Sequence, residues 1–240
     1  MSLAKYKLLN EKILFLDGLT RAGKFLLGKI IGGFEGVEYF VYNPTIEHFF
    51  QLGGENIISK EDASALLSIY LNMTIYDYSI GRTLNLRKSD SSSIFNSFEV
   101  NRYLRRVNKT DGIDRIDEIV KNNRYSTFMV HECIQYYDII KSVAPNSKVI
   151  TIRRNPIDIA YSWYIRGWGD RFGVDPLSFV PAVKGKQIPI PTFAKNWGDK
   201  YKNMNNAERV VSSVLHLAKM EKANIEPHDL KLTVYYENLI

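Results

Sequence analysis

The spacing of apolar residues changes period several times along the chain, and each change marks the edge of an element. Ile13 to Leu16 is an unbroken apolar run of the length of a buried strand. The polar stretch from Asp17 to Gly23 follows, and then apolar residues at helical spacing, so strand, turn and a helix over Ala22 to Ile31 succeed one another without a gap. Gly32-Gly33 reads as that helix's C-terminal cap. Val37 to Val41 predicts a second strand, and Asn43-Pro44 breaks the pattern. From there to about Arg124 strand signals are scarce. Ser59 followed by Asp62 resembles a capping box, and Ala63, Leu66, Leu67, Tyr70 and Leu71 recur at helical spacing, predicting a helix over Lys60 to Tyr76. The polar run Gly81 to Ser97 reads as a loop, and Phe98 to Val107 and Asp114 to Asn122 as helices.

Strand and helix signals then alternate. Ser126 to Val130 predicts a buried strand, Gln135 to Val143 a helix stopped by Pro145, and Lys148 to Ile152 a strand of β-branched residues. Asn155, Pro156 and Asp158 supply the N-cap, first-turn proline and first-turn acid of a helix to about Tyr164. Gly167 to Pro191, with its glycines, prolines, Lys184 and Lys186, reads as a long irregular loop or lid. A short helix over Phe193 to Tyr201, a helix over Ala207 to Ala223 capped by Asn206, and a strand over Leu230 to Tyr235 complete the pattern. The order predicts an α/β fold: a mostly parallel sheet with helices on both faces. The segment from about 43 to 124 is too long for an ordinary connection and reads as an inserted helical cap within a single domain spanning 1–240.

In such a sheet ligands sit beyond the carboxyl ends of the strands. Three polar clusters fall there: Gly18 to Lys24, His131-Glu132, and Arg153-Arg154. A turn leading into a helix start binds anions through unpaired N–H groups and the helix dipole. Gly18, four residues, then Gly23-Lys24 fits the nucleotide-binding P-loop up to its last position, where Phe25 stands instead of the Ser or Thr that holds magnesium. The architecture expected is therefore the three-layer arrangement of P-loop NTPases, with the metal ligand lost and no metal site expected. Arg154, together with Ser162 on the helix that follows, suits a second phosphate.

The net charge of +6 favours an anionic ligand and is too small and scattered to imply nucleic acid. Cys133 is the only cysteine, so no internal disulfide forms and a reducing compartment is expected. No stretch has the roughly 18 apolar residues of a membrane span, and a cytoplasmic protein without a membrane partner is expected. His48, His216 and His228 have no partner at metal spacing and read as surface or packing residues. Cys133 reads as an inert buried thiol.

The run Arg154-Asn155-Pro156-Ile157-Asp158-Ile159-Ala160-Tyr161-Ser162 closely resembles the R-N-P-x-D-x-A-x-S segment of sulfotransferases that use 3′-phosphoadenylyl sulfate (PAPS). The resemblance implies that Arg154 and Ser162 bind the 3′-phosphate. It sets the family's K-S-G-T-T loop on Arg21-Ala22-Gly23-Lys24-Phe25, where, with Gly18 and Thr20, the 5′-phosphosulfate would bind. It sets the catalytic histidine on His131 and the tyrosine of a late Y-E-D-L segment, near the adenine, on Tyr236. The likeness covers 13–31, 126–164 and 230–240. Arg21 replaces a lysine, Lys24 and Phe25 replace two threonines, and Met129 stands where a sulfate-binding lysine is expected. The family's R-K-G segment has no counterpart before Ile240, which leaves truncation, a branch without it, or weaker cofactor binding as readings.

The implied reaction is in-line, metal-independent transfer of a sulfuryl group to a hydroxyl or amine of a small-molecule or carbohydrate acceptor. His131 would be the general base, with Glu132 the alternative, and Lys24 and Arg21 would stabilise the sulfonate and bridging oxygen. Neighbouring residues of a strand point oppositely, so only one of His131 and Glu132 can face the site if the strand extends that far. Tyr76, Tyr78, Tyr103, Trp163, Tyr164 and Trp168 are candidate acceptor walls or core. Two rival readings are a small-molecule P-loop kinase and a non-catalytic adenine-nucleotide-binding module.

Overall fold

The computed structural model describes residues 2–185, 187–224 and 230–239. In chain order the elements are β1 (Ile13–Asp17), α1 (Lys24–Ile31), β2 (Val41–Tyr42), α2 (Pro44–Gly54), α3 (Lys60–Ser79), α4 (Val100–Leu104), α5 (Asp114–Asn122), β3 (Ser126–Met129), α6 (Tyr137–Val143) and β4 (Lys148–Arg153). They continue with α7 (Pro156–Tyr164), α8 (Trp168–Arg171), β5 (Ala182–Val183), β6 (Ile190–Pro191), α9 (Gly198–Tyr201), α10 (Asn206–Asn224) and β7 (Lys231–Tyr235). Five strands form one parallel sheet in the order β2-β3-β1-β4-β7, the α/β arrangement that the alternation of signals predicts.

All five residues of β1 are buried because the strand is covered on both faces. Its alternate side chains feed two cores. Leu14 and Leu16 join Leu27 of α1, Ile159 and Trp163 of α7, and Val210, Val214 and Leu217 of α10. Ile13 and Phe15 join Ile46 and Phe50 of α2, Leu67 and Leu71 of α3, and Ile139 and Ile140 of α6. Much of the segment expected as an inserted cap is thus built into the second layer.

Several local expectations change. The second strand is Val41–Tyr42 rather than Val37 to Val41, and Val37 makes only an isolated parallel bridge to Tyr125. Asn43-Pro44 starts a helix instead of breaking the chain: the Asn43 side chain accepts from the Thr45 N–H at 3.1 Å, and Pro44 opens α2. Gly32 does cap α1, but in right-handed helical conformation. The cap of α10 is Asn205, which exchanges hydrogen bonds with Glu208 at 2.9 and 3.0 Å, and Asn206 lies inside the helix. The expected lid contains α8 and an antiparallel β5-β6 pair, with Trp168, Phe172, Ile190 and Val183 packed in or against the first core. Lys186 and His228 lie outside the described residues. Among the described residues no helix is long and apolar enough to cross a membrane.

Candidate functional site

The loop between β1 and α1 lies at the carboxyl edge of the sheet, with β3 and β4 on either side of β1. Gly18 has φ +136°, and a Cβ there would lie 2.2 Å from the carbonyl oxygen of Ile152. Gly23 has φ +104°, and a Cβ there would meet the Tyr236 ring at 2.4 Å. Only glycine fits at both ends. Lys24, expected to face an anion, instead turns inward: it is 3% exposed, and its ammonium donates to the carbonyls of Gly18 and Leu19 at 2.5 and 2.8 Å. Burial lowers its pKa, against the charges of Glu132, Asp17, Glu47 and Glu221. The backbone N–H groups of Lys24 and Phe25 open α1 and have no intrahelical acceptor. The ring of Phe25 packs edge-on against Phe40 and Tyr42, so its backbone is what it offers a ligand.

On the outer side of the loop three guanidinium groups gather. Arg21, at φ +78°, donates from Nε to the Ser162 hydroxyl at 3.2 Å, and Arg166 donates to the same oxygen at 2.9 Å. Arg154 reaches the carbonyl of Arg21 at 3.4 Å, and its guanidinium lies 4.7 Å from the centre of the Tyr236 ring. The loop and the Arg154 pocket, expected as neighbours of one ligand, are therefore in direct contact. Among the described residues only Asp158 stands within ion-pair distance of any of these arginines, 3.6 Å from Arg154. The Arg154 Nε is buried without a partner. Burial and the charges of Arg166 and Arg154 lower the pKa of Arg21. Arg166 was not a candidate from sequence: it follows the recognisable motif by one helical turn.

On the inner side lie His131 and Glu132. Asp17 fixes their turn by accepting from the N–H groups of Cys133 and Ile134 at 3.1 and 2.5 Å; burial raises its pKa to about 6. Glu132 has φ +55°, in the turn that follows β3. β3 ends at Met129, before this pair, so the alternation of a strand does not apply to it, and both His131 and Glu132 line one cavity of about 240 Å³. Glu132 Oε1 accepts from the Thr20 N–H and hydroxyl at 2.5 and 2.8 Å.

Glu47 from α2 also lines this cavity, with its Oε1 2.5 Å from Nδ1 of His131. Burial raises the Glu47 pKa to about 8, against Lys24 and His48. Burial, reinforced by Lys24, depresses His131 to about 3, so the imidazole is neutral at ordinary pH. Sequence reasoning missed Glu47 because it missed α2.

The cavity's opposite wall is aromatic: Trp163, Trp168, Phe172 and Phe193 form a chain of edge contacts at 5.2 to 5.8 Å. Trp163 also donates to the Thr20 carbonyl at 3.0 Å, tying wall to loop. Of the other aromatic candidates, Tyr78 and Tyr103 are core, and Tyr76 and Tyr164 do not line the cavity. His48 meets the Phe179 carbonyl at 2.8 Å, and His216 packs against Trp197. Cys133 is buried and free, with its pKa pushed up chiefly by burial. Among the described residues no group of three His, Cys, Asp or Glu side chains is arranged to hold a metal.

No protein-family model and no curated protein matches the chain. Among solved structures it is similar to the sulfotransferase domain from the curacin biosynthetic pathway, at 11% identity and a TM-score of 0.41, the match covering 98% of this chain and 69% of that one.

Proposed function

We propose that the chain is a sulfotransferase that moves the sulfuryl group of PAPS to a hydroxyl or amine of a small acceptor held in the aromatic cavity. One observation carries this reading: the loop lies between two unlike environments. Outside it are Arg21, Arg154 and Arg166 around Ser162; inside it is a cavity with His131 and Glu132 on its wall. The outer cluster has more positive charge than Asp158 balances and an unpartnered Arg154 Nε, which suits a phosphate dianion.

Arg154, Arg166 and Ser162 would hold the 3′-phosphate, and the open N–H groups of the loop with Arg21 would hold the 5′-phosphosulfate. Tyr236, between Gly23 and Arg154, would border the adenosine. When bound, PAPS supplies the sulfuryl group, which leaves a phosphate oxygen for the acceptor atom. With its ring proton on Nδ1, the neutral His131 takes the acceptor proton at Nε2. Arg21 and the loop donors face charge that spreads over the sulfonate. Lys24 keeps two carbonyls turned inward and adds its charge from behind the loop. Glu132 is the alternative base, since Thr20 engages Oε1 and leaves Oε2. The enclosed aromatic wall favours a small acceptor over a polymeric glycan.

Thermal shift with adenosine 3′,5′-bisphosphate, compared with ATP plus Mg²⁺, tests the reading. A ligand at about 100 times its Kd adds roughly 2.7 kcal/mol of stability. The bisphosphate is expected to give the larger shift, and a larger shift with ATP plus Mg²⁺ would favour a kinase. Binding without turnover on any acceptor would favour the non-catalytic module.

A further inference from the structure

Glu47 has no part in the sequence motifs, yet its carboxylate is 7% exposed at the residue level, against 8% for His131, and the two meet at 2.5 Å inside the cavity wall. A carboxyl group on Nδ1 fixes which ring nitrogen carries the proton, because the two nitrogens of a neutral imidazole have opposite roles. An ionised Glu47 accepts from Nδ1–H and leaves Nε2 as a lone pair for the cavity. A protonated Glu47 donates to Nδ1 and makes Nε2 a donor, which is useless as a base. We propose that Glu47 is the positioning residue of this site and that its own protonation switches the cavity-facing nitrogen of His131 between hydrogen-bond donor and base. This rests on the reading of His131 as the base in "Proposed function".

The surroundings agree with a switch at the carboxyl group. Lys24 and His48 face Glu47 with charge that favours its ionised form, and burial opposes them and prevails, with a midpoint at about 8. Tyr42 packs edge-on against the His131 ring at 5.2 Å. Tyr42, Glu132 and Cys133 are further titratable groups nearby, with the Tyr42 phenol pushed up by burial and by Glu47 and Glu132; Glu132 favours a charged imidazole, but burial and Lys24 hold His131 far below its ordinary range. As pH rises, one proton leaves the pair: Nε2–H is lost to solvent, while the Glu47 proton passes to Nδ1.

The test is ¹⁵N NMR of the imidazole nitrogens in the free full-length protein between pH 5 and 10, with His131→Gln used to assign the signals. The wild type is expected to exchange the Nε2–H for the Nδ1–H tautomer with a midpoint near 8 and to show no imidazolium across this range. Glu47→Gln, which cannot ionise, should hold one tautomer throughout. An imidazolium titration near 6.5, a single wild-type tautomer at all pH values, or the same exchange in Glu47→Gln would each overturn the proposal. Where the variant does not fold, the ¹³C signal of the Glu47 carboxyl decides the matter: it should titrate with the same midpoint as the tautomer exchange, and a different midpoint would overturn the proposal. Neither donor nor acceptor is present, so this outcome is separate from bisphosphate binding, which tests the sulfotransferase reading.

Discussion

Thr20 donates both its backbone N–H and its hydroxyl to one oxygen of Glu132, at 2.5 and 2.8 Å. An internal carboxylate thus already takes donors on the loop proposed to receive an anion. Replacing Glu132 by Gln keeps an acceptor for Thr20 and removes a negative charge. We predict that adenosine 3′,5′-bisphosphate then binds several-fold more tightly by calorimetry, and weaker binding would contradict this.

Arg166 contributes a charge-assisted hydrogen bond to the Ser162 cluster. A bond of the same kind from Arg166 to a bound 3′-phosphate is worth about 1.5–3 kcal/mol, so Arg166→Ala should weaken the bisphosphate about tenfold or more. Binding of 5′-AMP, which lacks the 3′-phosphate, should be unaffected. Equal losses for both nucleotides would place Arg166 at the other phosphate.

His131 is fixed by Glu47, and Asp17 holds the turn that follows it. Loss of a general base costs typically 10²–10⁴-fold. His131→Ala is predicted to lower kcat by about that factor with bisphosphate affinity nearly intact, and retained turnover would remove His131 from the mechanism.

Gly23→Ala asks an alanine to adopt φ +104° with its Cβ in the Tyr236 ring. Backbone strain alone costs on the order of 1–3 kcal/mol. Thermal unfolding should show a clear fall in Tm, and an unchanged Tm would mean that the ring moves and the turn adapts freely.

Glu47 also leaves a mark on stability. Its folded pKa, about 8, lies above the ordinary carboxyl value, so at pH 6.5 to 8 the folded chain holds a proton that the unfolded chain releases. His131, depressed to about 3, is neutral when folded but about half charged when unfolded at pH 6.5, so it opposes this slope at the lower end of the window and ceases to by about pH 7.5. Stability should therefore fall as pH rises through the window, by at most roughly 1.4 kcal/mol per pH unit for one group. Glu221, raised to about 7 chiefly by burial, adds to the slope in the lower half. Denaturant titrations at stepped pH check this, and Glu47→Gln should flatten the slope above pH 7.

The strands and most helices were legible because their apolar periods are long and their caps local. Asn155-Pro156 announced α7, and Asn43-Pro44 carries the same signal for α2. In the sequence it reads as a break because the apolar period after it, Ile46, Phe49 and Phe50, is cut short by Gly53-Gly54. Glu47 was lost with that helix. The inward turn of Lys24 was not legible either: spacing puts a lysine at the loop's end, but its contacts depend on the carbonyls of Gly18 and Leu19. Likewise the left-handed backbone at Glu132, which brings two neighbouring side chains to one cavity, follows from tertiary packing around Asp17.

In the proposed complex one nucleotide spans the loop and the Ser162 cluster. Calorimetry of the wild-type chain with adenosine 3′,5′-bisphosphate, 5′-AMP and 3′-AMP tests it most directly. The bisphosphate should bind at least about tenfold more tightly than either monophosphate, in line with a second set of charge-assisted contacts. A bisphosphate that binds no better than 5′-AMP would contradict it.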